Sequence, residues 1–248
     1  MNQVNNPISS SWTDNIPDDQ WEIYRQVLEE LRALGLPYAL GGAFGVATYT
    51  GFWRNTKDLD IYTLPENRDA MILVLGKIGL RDYYEVLPYV REWIYRSYTG
   101  DIIVDIIWAM ANQRVRVDKA WVMRGPEIEV RGEPFRVLPV EELIWAKTYV
   151  LQKDRSDWPD VLNLLYAMAD QMDWDHLVKR FGDDLPLLKG LLDVFAWLSP
   201  NRLRDLPDDV FQMMQIGRPQ PEQPEVLRRR ANLLDTRDWY IPLLKGEI

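Results

Sequence analysis

Apolar residues recur at helical spacing through Trp21, Tyr24, Leu28 and Leu31, which predicts a first helix that opens at Pro17-Asp18-Asp19 and stops at Gly35 and Pro37. Pro37 to Leu40 reads as a short strand ending at Gly41-Gly42, and Ala43 to Thr50 as a helix closed by Gly51. Lys57 to Thr63 predicts a second strand, and Glu66 to Ile78 a helix stopped by Gly79. From Val90 to Tyr98, aromatic residues alternate around Arg91 and Arg96. A turn at Thr99-Gly100 and an apolar run from Asp101 to Trp108 follow, which together predict a hairpin. Further β signals fall at Lys119 to Met123, Glu127 to Val130 and Pro134 to Leu138, separated by Gly125-Pro126 and Gly132-Glu133.

Beyond Val140 the period changes from two to that of a helix. Helices are expected over Val140 to Gln152, Pro159 to Ala169, Trp174 to Phe181 and Leu185 to Leu198. A proline-rich, extended stretch from Ile216 to Pro224 precedes a last helix around Glu225 to Leu234. The change of period places a boundary near residue 138, giving an α+β unit over 1–138 and a helical unit over 139–248.

Composition narrows what such a chain can do. A length of 248 residues with 47% hydrophobic content suits one large or two modest globular domains, and no apolar run approaches the roughly 20 residues of a membrane helix. The polar start MNQVNNPISSSWTDN is unlike a signal peptide, so a cytoplasmic protein is expected. With no cysteine, disulfides, thiolate metal sites and cysteine nucleophiles are excluded. The single histidine, His176, lies in MDWDHLVKRF, where an exposed or capping position accounts for it. Carboxylates, lysines and arginines must carry any chemistry. A net charge of −9 argues against broad nucleic-acid binding, and Arg228-Arg229-Arg230, the compact basic run, reads as a solvated helix face. The eleven tryptophans read mainly as core residues, with Trp53, in the loop before the second strand, placed for core packing or for stacking on a base.

Asp58-Leu59-Asp60-Ile61-Tyr62 is the most informative segment. A strand turns alternate side chains to one face, so Asp58 and Asp60 point the same way with Cα atoms roughly 6.5 to 7 Å apart, and two negative charges so placed call for a cation. Metal-assisted nucleotidyl transfer needs divalent ions bridged by oxygen ligands, and a third carboxylate from a neighbouring strand completes such a site. Asp105 is the better candidate for it, because it interrupts an apolar run in which an unpaired charge is expensive to bury. Asp101 opens the strand at a turn, where an exposed aspartate is ordinary. Gly41-Gly42, at the turn into a helix, adds a place where backbone N–H groups can approach an anion closely.

On these residues the chain resembles the nucleotidyltransferase superfamily that includes polymerase β, in its minimal form. LGGAFGVATYTGFWRNTKDLDIYT is similar to that family's glycine pair, helix and Thr-x-Asp-x-Asp strand, and VDII looks like its third-carboxylate strand. VEELIWAKTYVLQKDRSDWPDVLNLLYA resembles the helical segment of AbiEii-like nucleotidyltransferases, in which a lysine precedes an Arg-x-Asp-x-x-Asp element. The resemblance covers roughly residues 37 to 168.

The resemblance implies a mixed β-sheet flanked by helices and a magnesium- or manganese-dependent transfer of a nucleoside monophosphate from an NTP such as ATP to an acceptor hydroxyl, with release of pyrophosphate. It further implies that Asp58 and Asp60 bind both ions, and that Asp105 holds the ion beside the acceptor and takes its proton. Gly41 and Gly42 would cradle the β- and γ-phosphates, with Arg54, Lys57 or Lys147 as cationic partners of the triphosphate. Arg155, Asp157 and Asp160 are candidate substrate-site residues, although Asp157 also fits a cap for the helix opened by Pro159. The acceptor is a small molecule, a protein side chain or an RNA end, and an antitoxin partner is conceivable. Ala43 departs from the family, which often carries a serine or threonine there. That departure leaves open a second reading, a catalytically silent binding or regulatory module on the same fold.

Overall fold

The computed structural model describes residues 11–204 and 206–248. Most of the polar opening segment weighed against a signal peptide therefore lies outside the described residues. Two compact units divide the chain, Met1–Pro139 and Val140–Ile248.

The first unit is built on helix α1 (Asp18–Ala33), whose Trp21, Tyr24, Val27, Leu28 and Leu31 form one buried stripe, while Glu22, Arg25 and Glu29 pair on its exposed side. Asp18 and Asp19 in its first turn complement the helix dipole. Strand β1 (Tyr38–Leu40) leads through Gly41 into α2 (Gly42–Thr50), which ends on left-handed Gly51. Then come β2 (Asp58–Thr63), α3 (Arg68–Lys77), β3 (Arg81–Asp82), β4 (Ile94–Thr99) and β5 (Ile102–Ile107). The five strands lie in the order β1-β2-β5-β4-β3. All neighbours run antiparallel except β2 and β5, which are parallel.

Alternation along the strands sorts the side chains. Leu59 and Ile61 of β2 and Val104 and Ile106 of β5 are buried with Leu28 and Leu31 of α1 and Met71, Val74 and Leu75 of α3 in one core. The opposite face of the same strands carries Asp58, Asp60 and Asp105.

Lys119 to Met123, expected as a strand, is instead a helix, α4 (Lys119–Met123). Asp118 caps it by accepting a hydrogen bond from the Ala120 N–H at 2.8 Å, and five residues are too few for periodicity to separate helix from strand. Its Trp121 is buried and stacks on Tyr62 of β2, with ring centroids 5.7 Å apart. A two-stranded hairpin, β6 (Glu127–Val130) with β7 (Glu133–Arg136), completes the unit, and a parallel bridge joins Val137 to Leu40.

The second unit is helical among its described residues: α5 (Val140–Thr148), α6 (Trp158–Met168), α7 (Trp174–Phe181), α8 (Leu185–Leu198), α9 (Pro200–Leu203), α10 (Asp208–Met214), α11 (Pro224–Leu234) and α12 (Ile241–Leu244). The stretch before α11 is irregular, as its prolines require. Asn163 of α6 ties down the C-terminal segment, donating to the Trp239 carbonyl at 2.9 Å and accepting from the Ile241 N–H at 2.8 Å. His176 is half-buried on α7. Its ring Nε2 lies 2.6 Å from Oε1 of Glu142, and its backbone N–H donates to the Asp173 cap at 3.0 Å. Among the described residues no helix is long and apolar enough to cross a membrane.

Candidate active site

Register places the carboxylates. Asp60 of β2 lies directly opposite Asp105 of β5, and Asp58 sits two residues before Asp60, so the three acids share one sheet face on strands about 4.8 Å apart. Asp58 and Asp60 are half-buried, whereas Asp105 is 0% exposed. On the far side of β5, Arg96 of β4 faces Asp105, continuing the row.

Arg96 joins this row of carboxylates, a placement that the sequence pattern did not single out. Its Nε lies 2.9 Å from Oδ1 and 3.2 Å from Oδ2 of Asp105, and its Nη2 lies 2.6 Å from Oδ2, a forked, charge-assisted pair. This hydrogen bonding, together with the charges of Asp105, Asp58 and Asp60, holds the guanidinium above its ordinary pKa against the opposing effect of burial. The signal was present in the hairpin. Pairing outward from the turn, Thr99 with Ile102 and Tyr98 with Ile103, brings Arg96 opposite Asp105.

The glycine pair is tied to the same carboxylates. The Gly41 N–H donates to the Asp60 carbonyl at 2.9 Å, and Gly42 opens α2 at φ +49°. A Cβ on Gly42 would collide with the Asp60 carboxylate, and one on Gly41 with the Tyr62 ring, so glycine is what lets the start of α2 lie against Asp60. No side chain caps this helix end, and Ala43 supplies no hydroxyl there. Gly42→Ala is therefore expected to lower stability by about 2 kcal/mol, through a strained backbone and the collision with Asp60. It should also reduce any activity that depends on Asp60. Thermal melting beside a transfer assay checks both effects, and an unchanged melting temperature would refute the close approach.

Around this row, Tyr24 of α1 is buried with its hydroxyl accepting from Gln20 Nε2 at 2.8 Å. Burial first, and then the charges of Asp58 and Asp60, push its pKa well up. Arg54 and Lys57 are exposed in the loop before β2, and Lys57 pairs with Asp101 at the surface. Trp53 packs inward, stacked on Trp12 at 5.3 Å and edge-on to Phe44 at 5.2 Å, which leaves its ring committed to the core.

The remaining sequence candidates gather in the second unit. Lys147, 7% exposed on α5, donates to Asp157 Oδ2 at 2.9 Å and to Asp160 Oδ2 at 2.7 Å, and Arg155 Nε reaches Asp157 Oδ1 at 3.1 Å. Asp157 stands at the N-cap position of α6, yet its carboxylate makes no capping hydrogen bond and turns to Lys147 and Arg155 instead. Burial alone would lower the Lys147 pKa, but Asp160 and Asp157 outweigh it and raise it. Burial likewise opposes the lowering of the Asp157 pKa, which Lys147 and Arg155 impose.

These directions fix a pH dependence for the second unit. A lowered carboxylate contributes stability above its unfolded value of about 3.9 and loses it as pH falls through the folded value. A raised lysine contributes below about 10.4 and loses it as pH climbs through its own folded value. Urea unfolding should thus show a plateau between the two limbs, and Lys147→Met should flatten both. Limbs of unchanged size in that variant would assign them to other groups.

The donor chemistry of the first site is all oxygen, which suits a hard divalent ion such as Mg2+ or Mn2+. Among the described residues no group of three or more acids or histidines stands ready to hold a metal. Of the three carboxylates, Asp105 is already engaged by a cationic group, the Arg96 guanidinium.

A sheet of this order, with a glycine turn into a helix and paired aspartates on the adjoining strand, defines a nucleotidyltransferase fold. The chain belongs to the family described as uncharacterised nucleotidyltransferases, which matches residues 19–192. Among solved structures it is similar to the antibiotic-resistance factor ANT(2'')-Ia, with a TM-score of 0.50 and 19% identity over 69% of this chain and 96% of that one. It is also similar to the lincosamide antibiotic adenylyltransferase LnuA, with a TM-score of 0.44 and 16% identity over 62% of this chain and 99% of that one. JHP933 from Helicobacter pylori gives a TM-score of 0.42 and 13% identity over 89% and 98% of the two chains. No curated protein matches the chain at a significant level.

Proposed function

We propose that the protein transfers a nucleoside monophosphate from an NTP to an acceptor hydroxyl in a metal-dependent reaction. The observation that carries this is the register that sets Asp60 beside Asp105 with Asp58 on the same face, next to the Gly41-Gly42 entrance to α2. Asp58 and Asp60 would hold the divalent ions, whose chemistry is to neutralise the triphosphate and lower the pKa of the attacking hydroxyl. Gly41 and Gly42 would present backbone N–H groups to the phosphates, with Arg54 and Lys57 as exposed cations beside β2. In the transfer, the acceptor oxygen forms a bond to the α-phosphorus, the bond from that phosphorus to the bridging oxygen breaks, and pyrophosphate leaves with the electron pair. The acceptor proton passes to Asp105. Lys147, held between Asp157 and Asp160, would tie α5 to α6, and a contact with the triphosphate would have to compete with these two carboxylates.

A kinship with AbiEii-like enzymes, and with it an antitoxin partner, is supported by the way Lys147, Arg155, Asp157 and Asp160 gather from the shared motif. Two observations favour the second reading, a binding module without turnover: Ala43 at the helix start and the engagement of Asp105 by Arg96. Incubation with each α-labelled NTP, magnesium and panels of small-molecule, protein and RNA acceptors separates the readings. Label in an acceptor, lost on chelation, is the expected result. Nucleotide binding with no transfer to any acceptor would favour the module.

A further inference from the structure

Asp105 is fully buried, and both its carboxylate oxygens accept hydrogen bonds from the Arg96 guanidinium. Asp58 and Asp60 lie on the same sheet face and act on the same guanidinium. We infer that Arg96 is an exchangeable counter-ion: it occupies Asp105 while the site lacks nucleotide, and passes to the triphosphate when a divalent ion arrives with the NTP. This rests on the nucleotidyl-transfer reading given above.

Three physical points support it. A buried carboxylate stripped of its partner is costly, so Asp105 needs a cation in every state of the site. A guanidinium bonded to both Asp105 oxygens competes with a divalent ion for their lone pairs and repels its charge, so a metal binds Asp105 best once Arg96 has left. The means of leaving are also present. The Arg96 backbone is fixed by strand pairing and by its N–H to the Tyr89 hydroxyl at 2.9 Å, while its side chain is 31% exposed, so the guanidinium can swing without disturbing the sheet. Its planar fork matches phosphate oxygens as well as it matches a carboxylate.

The consequence is coupling. A divalent ion alone meets a site already partly neutralised and must displace a cation held by both oxygens of Asp105. The triphosphate supplies a destination for that cation, so metal and nucleotide bind better together than apart, each tightening the other by the same factor.

The test is Mn2+ binding followed by electron paramagnetic resonance at pH 8, with and without a non-hydrolysable NTP, in the wild type, Arg96→Gln and Arg96→Lys. Arg96→Gln is expected to bind Mn2+ without nucleotide about tenfold tighter than the wild type and to show a weaker response to added nucleotide. Arg96→Lys, which keeps the charge but not the fork, should fall between them and reads out the same exchange if the glutamine variant does not fold. Mn2+ affinity unchanged or weaker in the folded variants, while the wild type still transfers nucleotide, would overturn the role of Arg96 and leave the function standing. Absence of Mn2+ binding by the wild type even with nucleotide would overturn the carboxylate site itself, and this inference with it.

Discussion

Asp60→Asn should lower nucleotidyl transfer by about 10³-fold or more while leaving the folded structure intact. The substitution keeps the shape that fits beneath Gly42 while removing the charge and turning one acceptor oxygen into an NH2 donor. It also relieves repulsion among Asp58, Asp60 and Asp105, so thermal stability should hold or rise slightly. Asp58→Asn should behave alike, because both acids project from the same face of β2. Pyrophosphate release and a melting curve on the same preparations measure the two effects separately. Full activity in both variants would reject the assignment, and a collapse in stability would instead make Asp60 a structural residue.

Lys147→Met should destabilise the second unit by about 3 kcal/mol, because it leaves Asp157 and Asp160 buried or half-buried without their common cation. The effect sits at the low end of what a broken buried pair costs, since Arg155 still reaches Asp157. Lys147→Arg, which preserves the charge, should cost less. Hydrogen exchange of amides in α5 and α6 is the appropriate readout, as it reports the local opening of these helices. A variant of unchanged exchange but greatly reduced transfer would return Lys147 to the triphosphate.

What could be read from the chain followed from local rules. Period-two alternation placed Asp58 and Asp60 on one face, and the Thr99-Gly100 turn announced the hairpin of β4 and β5. The α+β class with a helical back half followed from the change of period near Val140, and the structure has that class. Failures came where a segment was too short or a partner too distant. Five apolar-rich residues from Lys119 suited either a strand or a helix, and the cap from Asp118 decided it. Asp157 satisfied the sequence rule for a helix cap, but a buried lysine ten residues away competed for its carboxylate and won. Gly41-Gly42 could be seen as a turn into a helix. That Gly42 is also needed to admit the Asp60 side chain depends on the packing of α2 against β2, which no local pattern encodes. Arg96 was visible as an arginine among aromatics, and only the strand register gave it Asp105 as its partner.

The site of nucleotide binding decides whether Asp58 and Asp60 are metal ligands. Crystals grown with magnesium and a non-hydrolysable NTP test this directly. The expected result is an ion within about 2.1 Å of carboxylate oxygens of Asp58 and Asp60, with the terminal phosphates against the backbone of Gly41 and Gly42. A nucleotide bound elsewhere, or a triphosphate with no ion at Asp58 and Asp60, would contradict it.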